Sequence, residues 1–198
     1  MPQHYYSRQP ETKHDRRVIE TVFRGKKFRL VSDSGVFSKG DVDYGSKVLI
    51  EAMEIPEGAS VLDVGCGYGP IGLTAAALAP AGHVTMVDIN QRAVELAREN
   101  ARSNGISNVT VLESDVLQAV KGQTFDVVLT NPPIRAGKAV VHAIFEQAHE
   151  QLRDGGSLWV VIQKKQGAPS AMSKLEGLFT KVEEIGKDKG YRIFRAEK

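Results

Sequence analysis

Apolar positions along this 198-residue chain follow two rhythms. In "VLDV" (61–64), "VTMV" (84–87), "VTVL" (109–112), "FDVVL" (125–129) and "LWVVI" (158–162) they crowd together with few polar interruptions. Between those runs they recur every three or four residues. Short continuous runs suit strands buried on both faces, and the slower rhythm suits helices. Strict alternation of the two predicts a parallel sheet covered by helices on both sides, an α/β architecture.

Turn and cap signals set the boundaries. "RVIETVF" and "FRLVS" flank Gly25 and predict a short N-terminal hairpin. "DSGVFSKG" (33–40) is a loop, and Asp41 is the expected N-cap of a helix through Met53. Strands follow at 60–64 and 83–88, joined by a small-residue helix that ends near Pro80. Asn90 caps a helix through Ser103, closed by Asn104-Gly105. Further strands are expected at 108–114, 125–130 and 157–163. "GKAVVHAIFEQAHEQLRDGG" reads as a helix with a glycine stop, and Pro169 opens the next helix. The last eighteen residues read as two strands around "KDKG", so at least one runs antiparallel. Residues 1–17 are expected to be a loose basic arm, 18–58 a hairpin and helix, and 59–198 the core of the domain.

Composition narrows the class. With 41% hydrophobic and 25% charged residues the chain is an ordinary globule. The longest apolar stretch, "LTAAALA" (73–79), is far short of the ~20 residues a membrane span requires. The first residues carry no apolar core of a signal peptide, so a cytoplasmic location is expected. A single cysteine, Cys66, excludes an internal disulfide, and no Cys/His spacing suits zinc, so no metal is expected. Net charge is +2, but residues 1–40 hold nine Lys/Arg against four Asp/Glu. That asymmetry is compatible with a face for a phosphate backbone and equally with a solvated tail.

The chemistry concentrates at strand ends. "VLDVGCGYGPIG" places Gly65, Gly67, Gly69 and Gly72 between a strand and its helix, with Cys66 inside the loop. Glycines there let backbone approach a ligand at the carboxyl edge of the sheet. Gly67 to Gly72 match the dinucleotide pattern G-x-G-x-x-G, and Asp88 follows at a distance suited to a ribose, which keeps a nicotinamide-dependent oxidoreductase in view. Asp63, two residues before the first glycine, favours instead a ligand with a cationic amino group. "TNPPI" (130–134) ends another strand. Proline has no N–H to donate, so this turn presents carbonyls, and the Asn131 amide oxygen with the Pro132 carbonyl makes a pair of acceptors for a planar NH2 group.

These motifs carry a resemblance. Asp63-x-Gly65-x-Gly67-x-Gly69 resembles the first motif of class I methyltransferases that use S-adenosylmethionine (SAM), and Asn131-Pro132-Pro133 resembles the fourth motif of amino-methyltransferases. Together with 32–53 and "GGSLWVVIQKKQGAP" (155–169) they look like the catalytic domain of RsmC-type methyltransferases, which act on guanine N2 of 16S ribosomal RNA. The resemblance implies a Rossmann-like class I methyltransferase fold: a seven-stranded, mostly parallel sheet with an antiparallel C-terminal hairpin strand, plus the N-terminal hairpin. It implies SAM as cofactor and S-adenosylhomocysteine as product. It assigns Asp63, Gly65, Cys66, Gly67 and Gly69 to the methionine part, Asp88 to the ribose, Ile89, Asp115 and Val116 to the adenine, and Asn131, Pro132 and Pro133 to catalysis, with Asn131 also in the cofactor-binding set. Asp115 also fits a plain turn or cap. The expected partner is ribosomal RNA or the small ribosomal subunit. Ile134 stands where DNA-adenine and protein-glutamine relatives carry an aromatic, and Phe37 is the candidate to support the base instead. Lys39, Arg135, Lys138, Lys164 and Lys165 are candidates for phosphate contacts. The longer relatives carry a degenerate methyltransferase-like domain ahead of the catalytic one, and here only about seventeen residues precede the hairpin. A protein-glutamine or other nucleic-acid amino-methyltransferase, an NAD-dependent oxidoreductase and a SAM-binding ribosome factor without turnover remain the competing functions.

Overall fold

The computed structural model describes residues 6–38 and 40–198. A two-stranded antiparallel hairpin, β1 (Arg17–Phe23) and β2 (Lys26–Ser32), precedes helix α1 (Tyr44–Ala52). The core then alternates β3 (Ser60–Val64), α2 (Pro70–Leu78), β4 (His83–Asp88), α3 (Gln91–Ser103), β5 (Val109–Glu113), β6 (Phe125–Thr130), α4 (Lys138–Gln151), β7 (Leu152–Gln163), α5 (Ala168–Leu178), β8 (Lys181–Asp188) and β9 (Tyr191–Glu197). The order in the seven-stranded sheet is β5-β4-β3-β6-β7-β9-β8. β3 to β7 pair in parallel, and β9 runs antiparallel to both its neighbours. The seven strands, the single reversed strand and the separate hairpin agree with the sequence expectation.

The period-two pleat divides the core into two layers. Val61, Val84, Met86, Val127, Leu129, Trp159 and Val161 point to the side covered by α1, α2, α3 and the hairpin. Leu62, Val64, Val87, Val128, Leu158, Val160 and Ile162 point to the side covered by α4 and α5. This two-sided burial is why the strands read as unbroken apolar runs.

Two boundaries differ from expectation. Asp43, not Asp41, caps α1, its side chain accepting from the Ser46 N–H at 3.2 Å. Asp41 instead accepts from the Val42 N–H and from Lys47 Nζ. The fourth helix stops at Gln151, before any glycine, because Leu152 turns extended, is buried and pairs with Phe125. Gly155 and Gly156 belong to an irregular start of β7. There the Gly155 N–H donates to the Lys198 carbonyl, and a Cβ at position 156 would lie 2.9 Å from two backbone carbonyl oxygens.

Residues 6–16, expected within a loose arm, are tied to the body. Arg8 pairs with Glu113, its carbonyl accepts from the Gln91 N–H, and Arg92 bonds the Pro10 carbonyl and the Thr12 hydroxyl. His14 and the Asp15 N–H both bond Asp33. This strap leads Tyr6 to the sheet's carboxyl edge.

Candidate active site at the carboxyl edge of the sheet

The parallel strands β3 to β6 deliver their ends to one cavity. After β3, the Gly65 and Cys66 N–H groups both donate to the Val87 carbonyl, at 2.9 and 3.0 Å, and the Gly67 N–H donates to Asp88 Oδ2 at 2.8 Å. The loop is thereby hung on the end of β4. Gly65 and Gly67 have φ of 73° and 56°, in the left-handed region, and a Cβ at either would meet nothing within 4 Å. Conformation requires glycine at both positions, and both line the cavity. Gly72 has the opposite reason: a Cβ there would stand 2.8 Å from Asp63 Oδ2 and from Met86.

Asp63 does not line the cavity. It lies fully buried beneath the loop, and neither carboxylate oxygen has a hydrogen-bond partner of normal geometry among the described residues. Burial pushes its carboxyl up to about 7, the nearby Gly72 amide opposing and the Asp88 charge adding. The sequence pairs Asp63 with a ligand carrying a cationic amino group, and the structure sets its carboxylate beneath the loop, one layer behind the cavity wall. Cys66 does line the cavity; burial first, then the Asp88 and Asp63 charges, push its thiol well up, so it stays protonated and is no nucleophile. Gly69 is off the wall and caps α2 with φ 114°.

Asp88 lines the cavity half-buried, accepting from Gly67 and Asn90 amides. Burial raises its carboxyl to about 6 against the lowering effect of those amides and that of Ile89. Ile89 and Val116 lie on the same wall, whereas Asp115 is exposed and off it, its neighbour Ser114 taking the wall position. Val116 has φ 50°, which costs a β-branched residue about 1–3 kcal/mol and persists only where neighbours impose it. They do here: Ser114 Oγ donates to the Val116 carbonyl and accepts from the Ala119 N–H.

At the end of β6, buried Thr130 donates from its hydroxyl to the Val64 carbonyl at 3.0 Å, fixing the start of the Asn-Pro-Pro turn beside the glycine loop. Asn131, Pro132 and Pro133 line the cavity. Asn131 Nδ2 donates to Asp43 Oδ2 at 2.8 Å and to Ser46 Oγ at 3.0 Å, and no described residue donates to its Oδ1. The Pro133 carbonyl accepts from the Ala136 N–H, while that of Pro132 has no such partner among the described residues.

Phe37, 40% exposed, lines the cavity from the α1 side. Ile134 turns away from it, packing on the apolar layer under α4 and lining a separate groove with Lys138, Val141 and Ile162, because an aliphatic side chain gains more from that burial. Arg135, Lys138, Lys164 and Lys165 are exposed just beyond the ends of β6 and β7, on the rim rather than the wall. Lys39 lies outside the described residues. Tyr6, Ser114, Asp43 and Ser46 share the wall and were missed. Tyr6 is contributed by a remote segment without any local signal. Asp43 and Ser46 did carry one, an Asp-x-Gly-Ser sequence at a helix start. Burial, then the Asp115 and Asp88 charges, raise the Tyr6 hydroxyl.

A family model described as the methyltransferase small domain matches residues 27–195. The chain belongs to the methyltransferase small-domain family. Within that family it is 54% identical, over the whole of both chains, to the uncharacterized protein YbxB of Bacillus subtilis (strain 168). It is 35% identical to ribosomal RNA large subunit methyltransferase G of Pseudomonas putida (strain W619), over 85% of this chain and 46% of that protein. Its fold matches the solved structure of the T. thermophilus 16S rRNA N2 G1207 methyltransferase (RsmC) in complex with AdoMet and guanosine, with a TM-score of 0.84 and 28% identity, covering 96% of this chain and 52% of that one. The chain therefore spans about half the length of the rRNA methyltransferases it matches, and this family member corresponds to one of their parts. An RsmC-like, Rossmann-type methyltransferase architecture is shown. No helix among the described residues is long and apolar enough to cross a membrane.

Proposed function

We propose that this protein transfers a methyl group from SAM to an exocyclic amino nitrogen of ribosomal RNA, first of all guanine N2 of the small-subunit (16S) species. The observation that carries the reading is the meeting, in one cavity, of the glycine loop and Asp88 with the acceptor pair of Asn131 and Pro132. The bound cofactor supplies an electrophilic methyl on a sulfonium and leaves as S-adenosylhomocysteine. The residues present suit it. Positive-φ Gly65 and Gly67 leave open space for close backbone approach, and the Asp88 carboxylate can accept from two ribose hydroxyls. Ile89, Val116 and Tyr6 offer apolar and aromatic surface for the adenine, Asp63 supports the loop from beneath, and Gly69 starts α2.

An exocyclic amine delocalises its lone pair into its ring. Asn131 Oδ1 and the Pro132 carbonyl, each accepting one N–H, favour pyramidalisation and aim that lone pair at the methyl donor. Pro133 stiffens the turn. The surplus N–H proton becomes acidic once the nitrogen has gained the methyl and passes to water, so the site works by positioning and needs no strong general base. Phe37 supports the base plane, and Arg135, Lys138, Lys164, Lys165 and Lys39 meet phosphates. Ile134, half-buried against the α4 layer, shapes the turn. Residues 18–58 act as the substrate-side wall and 59–198 as the cofactor-binding core, with the strap at 6–16 adding Tyr6 to the cofactor side. A cytoplasmic location follows from an rRNA substrate.

Large-subunit rRNA is the second reading, favoured by the similarity to large subunit methyltransferase G. Incubating the protein with tritiated SAM and unmodified 16S rRNA, 23S rRNA, assembled subunits or a release factor discriminates. The expected product is N2-methylguanosine in 16S rRNA. Label in release-factor glutamine, or preferential binding of NAD over SAM, overturns the proposal; SAM binding without label in any RNA or protein overturns it in favour of a SAM-binding factor without turnover.

A further inference from the structure

We infer that Asp43 and Ser46 are positioning residues that decide which end of the Asn131 amide faces the substrate. The inference deepens the proposed function and rests on its reading of Asn131 as an acceptor for an amino group. The two ends of an amide have nearly the same shape, but one donates two hydrogen bonds and the other only accepts. Turned the wrong way, Asn131 would present N–H to N–H, and an amino substrate would find no acceptor.

Asp43 removes the ambiguity. An ionised carboxylate accepts and cannot donate, so the amide oxygen is repelled from Asp43 Oδ2 and the nitrogen is drawn to it, at 2.8 Å. Ser46 Oγ takes the second amide hydrogen at 3.0 Å. Both hydrogens are then committed, and Oδ1 is left to accept. Because a carboxylate dictates this orientation, the choice follows from chemistry and not from shape.

The arrangement is built into the start of α1. Asp43 is held as its N-cap by the Ser46 N–H. A side chain on intervening Gly45 would place its Cβ 2.7 Å from the Tyr191 ring and 3.0 Å from Asp43 Oδ2. Asp-x-Gly-Ser at 43–46 thus encodes a carboxylate, the room it needs and a hydroxyl one turn on. These residues lie more than eighty positions from Asn131 in the chain, so nothing local to Asn-Pro-Pro discloses them.

The test combines kinetics with a direct view of the amide. In uniformly 15N-labelled protein, the Asn131 side-chain NH2 signals, assigned through Asn131→Ala, should exchange slowly with solvent. Asp43→Ala and Ser46→Ala should each speed that exchange, and Asp43→Asn, which keeps an acceptor and a cap, should restore part of the protection. Asp43→Ala should lower kcat about 10–100-fold with SAM affinity within about threefold, and should add little to the loss in an Asn131→Ala background, since residues acting through one another are non-additive. Ser46→Ala keeps the Asp43 cap and serves should Asp43→Ala fail to fold. Unchanged amide exchange in both variants, or a full multiplicative loss on top of Asn131→Ala, overturns the inference. Wild-type protein that methylates no RNA overturns the proposed function instead, while the exchange measurement still decides this one.

Discussion

Asn131 follows a buried threonine locked to neighbouring β3 and precedes two buried prolines, so its backbone has little freedom and its amide nitrogen is already engaged. Replacing it with Ala should leave only a slow residual turnover while keeping the SAM dissociation constant within a few fold, measured by calorimetry beside a methyl-transfer assay. Asp88→Ala should do the reverse, weakening SAM by roughly 10–100-fold as its charge-assisted hydrogen bonds disappear. Proton linkage gives a further expectation. Asp63 and Asp88 have folded-state values of about 7 and about 6, above the ordinary 3.8. The fold takes up protons on them, so the stability they contribute is full below the ordinary value and is lost as pH rises through 6 to 7. Cofactor binding needs ionised Asp88 and should weaken as pH falls below about 6. Titrating SAM affinity and apo-protein stability against pH should therefore show opposite trends between about pH 5 and 7. At this scale the sequence disclosed residues at strand ends, where motif spacing reports position. It could not disclose that Asp63 lies buried behind the cavity wall, that Ser114 takes the wall beside exposed Asp115, or that Tyr6 arrives from the N-terminal strap.

Elements were legible wherever burial set the pattern. The strand runs at 60–64, 83–88 and 125–130 match β3, β4 and β6 because both faces are covered, and Asn90 caps α3 through the Ala93 N–H. Boundaries failed where a local signal served another purpose. The glycines at 155–156 shape the entry to β7 instead of stopping α4, and Asp41 competed with Asp43 for the same helix start. One buried polar residue joins three elements. Fully buried Asn100 on α3 accepts from the Val31 N–H and donates to the Val31 and Tyr68 carbonyls, tying the hairpin to the glycine loop. At about 1 kcal/mol net per hydrogen bond, Asn100→Ala should cost about 3 kcal/mol. That corresponds to a fall of roughly 6–12 °C in Tm by calorimetry.

For the whole molecule, sheet and strap bring distant segments to one rim. Rossmann-like alternation could be read from the chain because it is a repeated pattern. The course of 6–16 across α3 depends on individual pairings such as Arg8–Glu113 and carries no periodic signature. The cations beyond β6 and β7 lead to a prediction at this scale. Substituting Lys164 or Lys165 with Gln should weaken RNA binding about equally for all sequences. It should also flatten the slope of log affinity against log salt by about 1 for each phosphate no longer neutralised. Filter binding across a salt series measures it.

The most direct measurement is a structure of the protein with sinefungin and guanosine bound together. The account predicts the base N2 within about 3 Å of both Asn131 Oδ1 and the Pro132 carbonyl oxygen, a hydrogen-bonding separation, with the cofactor amine beside it. A base seated elsewhere, or an Asn131 that presents its nitrogen to the nucleoside, would contradict it.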